Sequence, residues 1–99
     1  MARFDLYSSV GGHEQYVVDV QADLLGSLAT RVVAPLLPRG ATEVIRDLNP
    51  VVQIDDQEYV VMTQELAAVR RSQLRRRVGS LVEHRDAITR ALDVLLVGF

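Results

Sequence analysis

Polar and apolar residues alternate over residues 3–8, which puts Phe4 and Leu6 on one side of an extended segment and predicts a first strand facing inward. Gly11-Gly12 interrupts it. Alternation resumes over residues 16–23, with Val18, Val20 and Ala22 on one side and Val17, Asp19, Gln21 and Asp23 on the other. This is the period of a half-buried strand, and it assigns Asp19 and Asp23 to a solvated face. The two strands are expected to pair antiparallel across a loop at residues 9–15. A β-branched run at 31–37 predicts a third strand, in which Pro35 cannot donate to a ladder and so indicates an edge position or an early end. Residues 38–40 form a turn, and residues 41–49 fit either a short helix or an irregular connection closed by Pro50. The runs 51–54 and 59–63 flank a polar tip with Asp55, Asp56 and Glu58, the pattern of a hairpin.

Toward the C-terminus the period changes from two to that of a helix. Ser80 followed by Glu83 has the spacing of a capping box, and His84, Ile88, Leu92, Leu95 and Phe99 then recur on one helical stripe. A helix from about Leu81 is expected, ending in Leu95-Leu96-Val97-Gly98-Phe99, whose apolar side chains need either the sheet or a partner to cover them. Neither a repeat nor a linker divides the chain, so residues 1–99 read as one domain with one core.

Composition removes several kinds of chemistry. Without cysteine there are no disulfides, thiol nucleophiles or thiolate metal sites, and a reducing cytoplasm is the expected setting. All eleven basic residues are arginine, so Schiff-base chemistry and the phosphate-binding lysine of a P-loop are absent too. A net charge of -2 argues against a surface built for nucleic acid, and the longest apolar runs are too short for a membrane span. Asp19 and Asp23, four apart on a strand and so roughly 13 Å from each other, are too distant to act as a carboxylate dyad. His13 and His84 have no ligand spacing around them, and His84 reads as a core or interface histidine. No metal or other cofactor is expected.

Three blocks resemble the CcdB family of bacterial toxins: Tyr16-Val17-Val18-Asp19-Val20-Gln21-Ala22-Asp23, then Leu48-Asn49-Pro50-Val51-Val52 with Ile54 and Met62-Thr63, and the helix with His84-Arg85, Ile88 and Gly98. The resemblance implies a mostly β fold, an SH3-like barrel of antiparallel strands with one C-terminal α-helix, assembled as a homodimer. It also implies a non-enzymatic type II toxin that binds the A subunit of DNA gyrase, traps the cleaved-DNA complex and is silenced by a CcdA-like antitoxin. By position, the gyrase-binding residues it implies are Val97, Gly98 and Phe99, where well-known members have Trp-Gly-Ile. A glycine there lets backbones approach closely, and an apolar end with a free carboxylate suits a pocket with an arginine.

Five of the eleven arginines fall within residues 70–77. Arg70, Arg71, Arg75, Arg76 and Arg77 read equally well as solvated surface or as a dock for the acidic, disordered half of an antitoxin, with nucleic acid ranked below both for want of interleaved aromatic residues. Two other readings stay open: an mRNA-cleaving endoribonuclease toxin on the same barrel, and a degenerate toxin that binds antitoxin without reaching gyrase.

Overall fold

Strand β1 (Asp5–Val10) and strand β2 (His13–Asp19) meet in a hairpin much tighter than a loop at residues 9–15 would allow. Val10 faces His13, leaving only Gly11 and Gly12 between the strands, with φ of 56° and 85°. Two successive positive φ values make the turn whose twist matches paired strands, and glycine adopts them without steric cost. The second hairpin repeats the device. Strand β4 (Val51–Ile54) and strand β5 (Gln57–Val61) are joined by Asp55 and Asp56, at φ 50° and 67°. A computed structural model describes residues 1–99, and no helix in it is long and apolar enough to cross a membrane.

Strand β3 (Thr30–Pro38) lies at the centre of the sheet, not at its edge. On one side it pairs with β2; on the other it pairs first with β6 (Ala67–Arg70) and then with β5. Pro35 sits where the partner changes. Its carbonyl accepts the Met62 N–H at 2.8 Å, so the donor that proline lacks faces the gap between β5 and β6, where no strand requires it. The full order is β4-β5-β3-β2-β1-β7, with β7 (Arg77–Ser80) on the outer side of β1. This is the mostly β, curled antiparallel barrel expected, closed over one face by a single helix.

Strands β6 and β7 were not foreseen. Between them Leu74 is buried against Tyr7, Val17 and Val33 and bridges to Val10, so residues 67–80 carry the chain from the edge of β3 to the edge of β1 and enclose the second face of the sheet. For that reason the assignment of Asp19 to a solvated face is wrong. β2 is buried on both faces at its end, and Asp19 and Arg31 have no exposed side-chain surface. Arg31 Nε donates to Asp19 Oδ2 at 2.8 Å and its Nη2 lies 2.7 Å from the same oxygen. Burial pushes the Asp19 carboxyl above its usual value, against the opposing hydrogen bonds from the Gln21 N–H and Arg31 and the charge of Arg31. β2 also ends at Asp19; Asp23 lies beyond it, in a 3-10 turn.

The main core joins Phe4, Leu6, Val18, Val20, Leu36 and Val61 to Ile88 of helix α1 (Arg85–Leu96). The helix begins later than expected, after a 3-10 turn at Val82–His84. Ser80 Oγ accepts the Val82 N–H at 3.2 Å, but Glu83 makes no return bond, so the capping box is not formed. Its inward stripe is also shorter: Ile88 and Ala91 are buried and Leu92 is partly so, whereas Leu95 is exposed. Residues 41–49 are irregular, pinned by the buried Asn49, which donates to the Val61 carbonyl and accepts the Ile45 N–H.

Replacing Asp19 with Val or Arg31 with Met leaves the other charge buried and unpaired, and each is expected to cost about 3–5 kcal/mol in urea unfolding. The two together should restore most of that loss. Additive losses would show that the charges do not act as a pair.

Candidate functional site

Phe4 has a φ of 73°, in the left-handed region that a bulky residue occupies only at a cost of about 1–3 kcal/mol. It is held there from both sides. Its N–H donates to the Asp19 carbonyl at 2.6 Å and its carbonyl accepts the Leu81 N–H at 2.8 Å. The ring enters the core, and Arg3 is thrown outward with its guanidinium 4.7 Å from the ring centroid. Arg3 then fixes the neighbouring segment: its N–H donates to Asp23 Oδ1 at 2.7 Å and its Nε to the Val20 carbonyl at 3.1 Å. Asp23 opens the 3-10 turn Asp23–Leu25, which presents Leu24 at 91% exposure and leaves Leu25 exposed as well.

The helix end reaches the same pole. Phe99 borders a shallow depression of about 380 Å³ whose other walls include Arg3, Phe4, Arg85 and Asp93. Leu96, Val97 and Phe99 are exposed, Phe99 at 88%, so the sheet does not cover the apolar end of the chain. Gly98 has a φ of 95°, and its N–H donates back to the Asp93 and Val94 carbonyls at 2.9 and 3.1 Å. Leu24, Leu25, Leu96, Val97 and Phe99 thus form two exposed apolar groups bridged by Arg3. Isolated exposed leucines need no explanation; two exposed apolar groups tied to one pinned arginine mark a candidate docking surface. The reading of the sequence named Val97, Gly98 and Phe99 as candidates and did not name Leu24 and Leu25. Two adjacent leucines following Asp23 outside any apolar period were the available signal.

The arginine run lies elsewhere, around the buried Leu74. Arg70, Arg71, Arg75, Arg76 and Arg77 are all exposed, yet they are not equivalent. Arg77 Nε is 3.0 Å from Asp5 Oδ1, a nearly buried carboxylate, and Arg75 Nε donates to the Ser72 carbonyl. Arg76 closes one end of a groove of about 640 Å³ that runs past Ser8, Glu14 and Tyr16 to Tyr59. Tyr16 and Tyr59 meet edge to face at 5.1 Å, and burial, with Tyr59 and Asp55 nearby, raises the Tyr16 hydroxyl above its usual value, so it stays protonated at neutral pH. No three His, Asp or Glu side chains come together as metal ligands, and His13 stands exposed beside the first hairpin turn.

The sequence pattern of the family described as "CcdB protein" matches residues 3–98. Among solved structures, the chain is similar to the Mycobacterium tuberculosis toxin MazF-mt6, at 15% identity and a TM-score of 0.78, covering 94% of this chain and 96% of that one. It is also similar to a second Mtb toxin, at 17% identity and a TM-score of 0.72, covering 89% of this chain and 99% of that one. At such identities the structural likeness establishes the fold alone.

Because the pole contributes little buried surface, deletion of Gly98 and Phe99, or the substitution Leu24→Ser, is expected to change stability by no more than about 0.5 kcal/mol. Thermal unfolding followed by circular dichroism checks this. A large fall in Tm would place these residues in the core after all.

Proposed function

The chain belongs to the CcdB family, and from that membership we propose that it binds the A subunit of DNA gyrase through the apolar pole and holds the enzyme in its DNA-cleaved state. Membership makes it a toxin of a toxin–antitoxin system. The observation that carries the target assignment is the exposure of Val97 and Phe99 at the helix end, with Phe99 bordering a depression whose walls include Arg3 and Phe4. Such a face offers an aromatic anchor and aliphatic neighbours set among Arg3, Arg85, Asp86, Arg90 and Asp93, a mixture of apolar and charged groups that suits inhibition by occupancy. A homodimer belongs to the same reading: a second copy would cover other exposed apolar residues near the helix end, such as Leu95 and Leu96, and leave Val97 and Phe99 open.

The smaller side chain at position 97 shifts the burden of recognition. A valine in place of a tryptophan anchor forfeits on the order of 2–4 kcal/mol at a hot spot, and Phe99 is the residue positioned to offset it. RNA cleavage is the competing reading, and the groove with Glu14 and Arg76 is what favours it. Against it stand the family match and the place of the other ionisable groups: the Arg31 and Asp19 charges are inaccessible, and His13 does not line the groove.

Incubation of the purified protein with gyrase and supercoiled plasmid is expected to yield trapped cleavage complexes and to leave RNA intact. Deleting Gly98 and Phe99 should abolish trapping, and Val97→Trp should strengthen it. In light scattering the species should weigh twice the 11.0 kDa of one chain. Cleaved RNA without trapped gyrase would transfer the assignment to the groove, and a protein that binds antitoxin but slows no growth would be a degenerate toxin.

The antitoxin is proposed to approach the basic run, with Arg70, Arg71, Arg75 and Arg76 as attracting charges and Arg77 partly committed to Asp5. Charge reversal at Arg75 and Arg76 should then slow association and flatten its salt dependence, as read by stopped-flow at several ionic strengths. An on-rate insensitive to these changes would leave the run as solvated surface.

A further inference from the structure

Among Arg70, Arg71, Arg75, Arg76 and Arg77, only Arg77 forms an ion pair, its Nε 3.0 Å from Asp5 Oδ1. The pairing of β1 with β7 aims it there. Arg77 lies opposite Tyr7 and Gly79 opposite Leu6, so Val78 is the extra residue of a β-bulge, a device that re-aims the side chains around it. Tyr7 and Asp5, two apart on β1, share a face, and from its place opposite Tyr7 the Arg77 side chain reaches along that face to Asp5. The Asp5 side chain is only 7% exposed, its Oδ2 accepts the Ala2 N–H at 2.9 Å, and Arg77 is its one counter-charge. Such a pair is screened less than the fully exposed ones, Arg39 with Glu58 and Arg90 with Asp47.

Little else ties residues 72–77 to the sheet. Leu74 is the one buried residue among them, and none of the six belongs to the main core. From the sheet side two N–H groups reach the segment, Ser8 donating to the Arg76 carbonyl and Gly11 to the Gln73 carbonyl, each at 3.0 Å. Its ends are marked by Arg71, whose N–H donates to the Ala29 carbonyl at 3.0 Å, and by the bulge at Val78. We infer that Asp5 and Arg77 form a latch, and that residues 72–77 open as a unit when it is released while the main core stays closed. The groove is the part of the surface that the latch governs. Arg76 and Ser8 both line it and are joined by the bond from Ser8 to the Arg76 carbonyl, so release of the segment takes away one wall of the groove. None of this depends on which target the toxin has.

Amide hydrogen exchange followed by NMR on the full-length protein reads the two parts separately. Ser8 and Gly11 report the segment; Val20 and Met62, whose N–H groups donate to the Val32 and Pro35 carbonyls at 3.0 and 2.8 Å, report the body of the barrel. In the unmodified protein Ser8 and Gly11 are expected to exchange faster than Val20 and Met62. Arg77→Gln, at a position whose side chain is 55% exposed, should speed Ser8 and Gly11 about tenfold further, in keeping with the loss of one charged hydrogen bond, and leave Val20 and Met62 within about twofold. Arg76→Gln removes the same charge where no carboxylate faces it and should leave all four rates within about twofold. Unchanged Ser8 and Gly11 rates in Arg77→Gln would overturn the latch, as would equal acceleration by Arg76→Gln, which would trace the effect to the charge of the run as a whole. A single rate shared by all four amides, or one rise common to them in Arg77→Gln, would overturn the opening as a unit, because segment and core would then unfold together.

Discussion

Asp19 is the point on which the apolar pole of the molecule depends. Its carboxylate accepts from Arg31 and from the Gln21 N–H, and its backbone carbonyl accepts from Phe4. Gln21 in turn accepts the Val32 N–H and donates to the Leu25 carbonyl. Through these bonds one residue sets the pairing of β2 with β3, the left-handed turn at Phe4 and, by way of Arg3, the turn that displays Leu24. A buried ion pair is a poor source of net stability, since desolvation consumes much of its attraction. What it supplies here is definition: each of its acceptor sites is matched to a donor on a different segment, so a shifted register would strand a charge in the core.

That arrangement also explains which parts of the fold could be read from residues alone. Both hairpins were legible because their turns are local chemistry, two glycines in one and two aspartates in the other. The helix was legible from its period, although its inward stripe stops at Leu92 and the remaining apolar residues serve the surface. Asp19 was misassigned because alternation reports that two faces differ, not that one of them meets water. Only the path of residues 67–80 over the second face decides that, and this segment carries no pattern of its own: β6 is short and largely exposed, and Leu74 is its one buried apolar residue. Pro35 misled in a similar way, since a missing donor is tolerated at the centre of a sheet wherever the neighbouring ladder happens to be interrupted.

The candidate site divides along the same line. Val97, Gly98 and Phe99 became candidates through likeness to a family, whereas Leu24 and Leu25 join them only through Arg3, whose bond to Asp23 spans twenty residues of chain. The shared barrel does not choose between occupying a target and cutting RNA, and proteins of one fold commonly do unrelated things. The distinction lies in what each surface offers. At the pole exposed apolar side chains stand among arginines and aspartates; in the groove there are a protonated tyrosine, a glutamate and an arginine.

Leu74 gives the enclosing segment a weak hold, and this bears on how the protein avoids aggregating. Residues 67–80 cover the outer edge of β1 and part of that of β3 with one buried leucine between the two short strands, so a local opening of the whole segment would bare both edges together. Two bare strand edges exposed at once are a template for pairing with another copy. The arginines that crowd this segment surround the edges they would uncover. Two opened copies would meet with like charges facing each other, and the encounter would be repelled before a ladder could form. The cluster therefore has a use even with no partner bound, as a guard on the least secure seam of the barrel.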